Sequence, residues 1–246
     1  MQRSATSFIA AILGAVAVSC LAQPSQAADY VNNLGTLTQP DFRLFSEDLG
    51  SALSYKPLTP ATPLGLTGFD IGAEVTDTQI SNSSVWHLVT GNGSSTSLVV
   101  PKIQVYKGLP LGFDVGAFYS KVPNSNIRLW GADMSYALLH GGITAPAVGL
   151  RASYTRLQGV DQLDFHTTGV DLSVSKGFLM FTPYAGVGQV WVNSTPSGIP
   201  GLQGESFSLT KYYVGADINF AVINMDIEAD RTGSDNTYGI KLGWRF

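Results

Sequence analysis

The chain has almost no cysteine. Cys20 is the only one, and it falls in an apolar stretch near the amino end. No disulfide framework and no thiolate metal site can form from the residues after it. Histidine is nearly as scarce: His87, His140 and His166 lie far apart and share no metal-ligand spacing. Charge is thin, at 13% of residues, and acidic in balance, with 14 Lys and Arg against 18 Asp and Glu. That balance argues against nucleic acid as a partner, because phosphate backbones are held by clustered cations. No Gly-x-Ser-x-Gly elbow, phosphate loop or dinucleotide fingerprint occurs, so no cofactor is implied. Long apolar runs are missing as well. The one candidate, residues 8–18 (FIAAILGAVAV), is too short to cross ~30 Å of hydrocarbon comfortably.

That run fits a secretory signal. Arg3 precedes it, and Ser25-Gln26-Ala27 places small residues where a signal peptidase inspects them, predicting cleavage after Ala27. Lipoprotein processing at Cys20 is the alternative, but Ala17-Val18-Ser19 lacks the usual Leu. Cleavage after Ala27 removes the thiol and Arg3, leaving 13 − 18 = −5.

What is abundant is glycine, 27 residues, and alternation. From residue 67 large apolar side chains recur at every second position. Phe69, Ile71, Ala73 and Val75 show it, as do Leu111, Phe113, Val115, Ala117 and Tyr119, and Tyr212, Val214, Ala216, Ile218 and Phe220. Ten such runs are expected: 67–76, 99–107, 110–120, 127–138, 146–157, 165–176, 178–192, 207–220, 222–231 and 236–246. Most reach the ~9–11 residues of a tilted membrane strand. Run 99–107 is weakened by Pro101, which cannot donate to a ladder. Connections after odd runs are long (77–98, 121–126, 158–164, 193–206, 232–235), and those after even runs are short except 139–145. Aromatics at run ends, namely Tyr106, Tyr119, Trp130, Tyr154, Trp191, Tyr212, Trp244 and Phe246, suit interfacial girdles.

The last run carries the clearest pattern. Tyr238, Ile240, Leu242, Trp244 and Phe246 share one face, and Gly239, Lys241, Gly243 and Arg245 the other. This ending resembles the closing strand of bacterial outer-membrane β-barrels. The resemblance implies that the five apolar residues form the signal read by the barrel assembly machinery. Residues 181–191 (FTPYAGVGQVW) are similar to a strand of outer-membrane-protein-A-type small barrels. The expected fold is an all-β, antiparallel, up-and-down transmembrane barrel of about ten strands, eight or twelve being the alternatives. It would sit in the bacterial outer membrane, in contact with lipid.

Residues 28–66 differ. Phe42, Phe45, Leu49 and Leu53 have helical spacing after Pro40, with Asp41 a candidate N-cap, and Pro57, Pro60 and Pro63 favour an extended continuation. A periplasmic lead-in with one short helix is the expectation; a helix that plugs the barrel or binds a partner is the alternative.

Gly-x-Asp-apolar recurs at Gly68, Gly112, Gly131, Gly169 and Gly215. Its Asp residues share the polar parity, which in a barrel is the lumen. The expected lining is nine acids (Asp70, Glu74, Asp114, Asp133, Asp171, Asp217, Asp226, Glu228, Asp230) against five bases (Lys102, Arg151, Lys211, Lys241, Arg245). Such a lining either fills the interior with ion pairs or forms a narrow pore that favours cations.

At the rim, Asp164 and His166 lie two apart, near Asp161. An Asp-x-His pair facing an acid across the rim is similar to omptin-type surface proteases, with Asp230 as the facing acid. This makes a rim hydrolase the alternative to a non-enzymatic structural, binding or transport barrel. Loops 77–98, with Val85 and Trp86, and 193–206 are the places for small ions, an external ligand or adhesion. A soluble periplasmic sandwich is disfavoured by the loop alternation and the terminal Phe.

Overall fold

Alternation over ten consecutive segments has one outcome that leaves no unpaired edge: the sheet closes. A computed structural model describes residues 33–90, 96–122, 125–142 and 144–246. Its strands are β1 (Phe69–Gln79), β2 (Ser97–Gly108), β3 (Phe113–Lys121), β4 (Arg128–His140) and β5 (Ala147–Gln158). They continue as β6 (Leu163–Ser175), β7 (Phe181–Pro196), β8 (Glu205–Phe220), β9 (Ile223–Thr232) and β10 (Asp235–Arg245). Each pairs antiparallel with its sequence neighbours, and β1 pairs with β10 to shut the barrel. The seam runs in register from Asp70 opposite Arg245 to Gln79 opposite Asn236. Phe246 is fastened to it: Phe69 N donates to Phe246 O at 2.6 Å, and Phe246 N to Phe69 O at 2.9 Å. The proposed signal peptide and Cys20 lie outside the described residues.

The outside is apolar. Ile71, Ile103, Met134, Leu150, Leu172, Val187, Val214, Ile227 and Ile240 are exposed around the middle of the wall. Aromatic pairs mark both margins: Phe113 with Tyr136 (4.6 Å between ring centroids) and Phe69 with Phe246 (5.6 Å) at one end, Trp130 with Tyr154 (5.6 Å) at the other. The chain thus has the architecture of a small transmembrane β-barrel. Tyr106 departs from the expected girdle. It lies on the parity of Lys102 and Gln104, so it points inward and is 3% exposed.

The connections are less unequal than expected. One end, the long-loop end, carries residues 80–96, 122–127, 159–162, 197–204 and 233–234; the short-turn end carries 109–112, 141–146, 176–180 and 221–222. Only 80–96 and 197–204 are clearly longer than the turns. The difference arises because polar residues assigned to loops instead extend the ladder: Asn193, Ser194 and Thr195 of β7 pair with His166, Phe165 and Asp164 of β6. Pro101 is accommodated because β2 meets β3 only from Ile103 onward, so no donor is missed on that side.

Helix α1 (Gln39–Leu53) precedes the barrel, and a second helix, α2 (Ser83–Thr90), sits in the first long loop. α1 is capped by Thr38, not Asp41. The Thr38 side chain accepts from Asp41 N, and Asp41 accepts in return from Thr38 N at 3.2 Å. Pro40 occupies the first turn, where its missing N–H costs nothing.

Candidate functional site

Residues 34–64 lie inside the barrel instead of forming the lead-in outside it that was expected for 28–66; residues 28–32 lie outside the described residues. α1 lies in the long-loop half, where Ser46 Oγ bonds Ser194 Oγ of β7 at 2.8 Å. From Ser54 the chain extends and descends. Tyr55 reaches β2 and β4, Leu58 accepts from Lys241, Thr62 bonds Ser175 at the far end of β6, and Leu64 N donates to Asp114 at the start of β3. Gly65 O then receives Gly68 N, and β1 begins. The burial of Phe42 and Phe45 (both 0% exposed) inside the wall is the physical reason. The lumen's upper half offers them apolar surface that water does not.

That upper half is a hydrophobic core. Phe42, Phe45, Leu49 and Leu53 pack with inward-facing Val100, Phe118, Leu129, Leu157, Phe165, Val190 and Val192. α2 closes the top. Trp86 is 2% exposed, lies 4.8 Å from the Phe45 ring, and donates from Nε1 to Asp48 Oδ2 at 2.8 Å; Asn82 donates to the other oxygen at 2.8 Å. Val85 and Trp86 of the first expected ligand loop therefore fold inward, while 197–204 of the second is mostly exposed; residues 91–95 lie outside the described residues. Gln39 and Gln203 exchange two hydrogen bonds, and Arg43 pairs with Glu205 at 3.2 Å.

Below that core the lumen is ionic. Lys241 bridges Asp70 (3.2 Å) and Asp226 (3.0 Å), and Arg245 bridges Asp70 (2.8 Å) and Asp217 (3.0 Å). Lys102 meets Glu74 at 2.7 Å, Arg151 meets Asp133 at 3.1 Å, and Lys211 stands 3.7 Å from Asp171. Glu228 accepts from Tyr184. Asp114 takes the Leu64 N–H. Asp230 is matched from outside the wall: Lys56 Nζ lies 2.5 Å from it. Pairing is what such burial demands, since an isolated charge at this depth costs several kcal/mol.

Glycine makes the interior habitable in one way the recurrent motif suggested and one it did not. A Cβ on Gly215 would collide with the Tyr184 ring, so that glycine is space for an inward aromatic. Gly112 instead serves a turn at φ +80°, outside the ring of the lumen.

The rim pair does not form a site. Asp164 and His166 have outward parity. Asp164 pairs with Arg156 at 3.1 Å and His166 lies against Tyr154, while Asp230 is inside the wall on Lys56. The sheet separates the acid from the imidazole, which removes the omptin-like arrangement. His87 lies on α2 and His140 ends β4. Among the described residues no three potential ligands gather to hold a metal.

Sequence reasoning missed Tyr55, Lys56, Gln104, Tyr106 and Asp48. Tyr106 and Gln104 were accessible through parity with Lys102. The others are positioned by a segment whose path has no period-2 signal.

No protein-family model matches the chain, and no curated protein does. Solved structures do. An outer-membrane channel from Pseudomonas putida F1 matches at 11% identity over 73% of this chain and 96% of that one, with a TM-score of 0.48. The translocator domain of the autotransporter NalP from Neisseria meningitidis matches at 10% over 84% and 95%, TM-score 0.42. The amino-terminal barrel domain of Pseudomonas aeruginosa OprF matches at 14% over 74% and 99%, TM-score 0.39. At these scores none of them bears on what this chain does.

Proposed function

We propose that this protein is a non-enzymatic barrel of the bacterial outer membrane, closed at rest by its own amino-terminal segment, which passes small cations when that segment shifts. The short turns and Phe246 face the periplasm, and loops 80–96 and 197–204 face outward. The export signal, the two long loops and the aromatic ending support this orientation. Tyr238, Ile240 and Trp244 of β10 and the following Phe246 are exposed on the outer side, with half-buried Leu242 on the same parity, where the assembly machinery would meet them.

The observation that carries the reading is a lumen whose wall acids outnumber its wall bases, occupied by a segment that contributes Lys56. Moving the segment away leaves the acids in excess, and an acidic lining favours cations. The test ties α1 down. In a Cys20→Ser background, Ser46→Cys with Ser194→Cys joins α1 to β7. In planar bilayers the oxidised form is silent, and reduction restores small, brief, cation-selective steps. Large anion-selective steps, or the same conductance in both redox states, would sink the proposal.

A further inference from the structure

The segment inside the barrel has a direction. It is anchored at Gly68 beside the short-turn end and reaches the long-loop end at Thr36, whose Oγ1 donates to Leu88 O of α2 at 3.1 Å. Leu34 is fully buried there, and Asn33, one residue earlier, is exposed. The chain therefore crosses the whole height of the barrel before its first strand begins.

How the wall holds it matters as much as where it goes. Between residues 55 and 64 the wall binds the side chains of Tyr55, Lys56 and Thr62, and it also binds main chain. Lys211 Nζ donates to Tyr55 O at 2.8 Å, Gln104 Nε2 to Pro57 O at 3.0 Å, and Lys241 Nζ to Leu58 O at 3.0 Å. Asp114 accepts from Leu64 N at 3.2 Å. Pro57, Pro60 and Pro63 cannot donate to a ladder, and Leu58 turns the chain at φ 39°, so this stretch runs through the lumen as an irregular segment apart from the sheet. Main-chain recognition tolerates different side chains, which is what a path for polypeptide needs.

We propose that the lumen is a polypeptide site: it grips an irregular peptide segment by backbone carbonyls and by the Tyr55, Lys56 and Thr62 side chains, and it delivers Asn33 to the cell surface. The ligand class is a proline-bearing peptide with one cation at the Lys56 position. The proposal rests on the outward orientation of the long loops.

Single cysteines in the Cys20→Ser background test it, with a membrane-impermeant maleimide on intact cells. Asp161→Cys reports the long-loop end, Thr144→Cys the short-turn end and Asn33→Cys the path. The expected result is labelling of Asn33→Cys and Asp161→Cys on intact cells, and of Thr144→Cys only after the outer membrane is permeabilised. If Asp161→Cys labels on intact cells but Asn33→Cys needs permeabilisation, the path is wrong and the barrel's orientation stands. If Thr144→Cys labels on intact cells and Asp161→Cys does not, the orientation itself is wrong and this proposal falls with it. Lys56→Glu separates grip from mere topology. It places a second acid against Asp230, and Asn33→Cys labelling on intact cells should fall; unchanged labelling would show that the wall does not hold the segment there.

Discussion

Lys56 brings the wall a positive charge that the wall itself lacks at that point. Its ammonium and the Asp230 carboxylate are both nearly inaccessible, at 1% and 2% side-chain exposure, and Thr232 Oγ1 completes the contact. Mutual attraction at this depth mainly offsets desolvation, so the pair contributes little beyond what two apolar residues would. Breaking it from one side is different, because the orphaned carboxylate keeps its burial and loses its partner. Lys56→Met should destabilise the protein by about 3–5 kcal/mol. Lys56→Met with Asp230→Asn should recover most of that. Equilibrium urea unfolding in detergent measures both. Equal losses for the single and double substitutions would mean that Lys56 acts through its packing.

α1 shows how a helix is fitted to the inside of a barrel. Ser46 and Gly50, next to Phe42 on the helix surface, carry its contacts with β7 and β8. A Cβ at Gly50 would stand 2.6 Å from Val192 Cγ2 and 3.2 Å from Leu209 Cδ1. Gly50→Leu should therefore push α1 away from β7 without touching a single strand hydrogen bond. The expected outcome is a barrel that still folds and resists heat in detergent, with Trp86 fluorescence shifted to the red as its contact with Phe45 loosens. Replacing Trp130, Trp191 and Trp244 by Phe isolates that signal. A variant with unchanged Trp86 emission would show that the wall yields instead. The helix itself was legible in the spacing of Phe42, Phe45, Leu49 and Leu53, because a 3.6-residue period is local. Its place was not, because inward Phe118, Phe165, Val190 and Val192 look in sequence like ordinary strand residues. Their parity with Gly169, Gly186 and Gly188 was the one available sign that the polar face turns apolar toward the long-loop end. β10 is the opposite case: its alternation gave both its structure and which side of it meets lipid, since period 2 is decided residue by residue. Asp164 and His166 were legible by the same rule: their parity with Val170 and Leu172, opposite to lumen-facing Asp171, already set them outside the wall and away from Asp230.

At the scale of the molecule two solvents are separated by one layer of sheet, and neighbouring residues on β10 answer to different ones. Ile240 is 50% exposed on the outer surface, while Lys241, the next residue, is 1% exposed between Asp70 and Asp226. Substitutions at the two should fail in different ways. Ile240→Arg puts a charge among acyl chains and should cost about 2–4 kcal/mol near the bilayer midplane, but only when the protein is in lipid. In short-chain detergent micelles, which deform around a guanidinium, the loss should shrink. Lys241→Met takes from buried Asp226 its nearest cation, leaving Arg245 to serve Asp70, and should cost about 3–5 kcal/mol in either medium, because the lumen is the same in both. Folding from urea into vesicles and into micelles, followed by the mobility shift of folded barrels on unheated gels, compares them directly. A lipid-specific loss at Lys241, or a loss at Ile240 that is equal in lipid and micelle, would mean that the inside and outside of this sheet have been assigned the wrong way round.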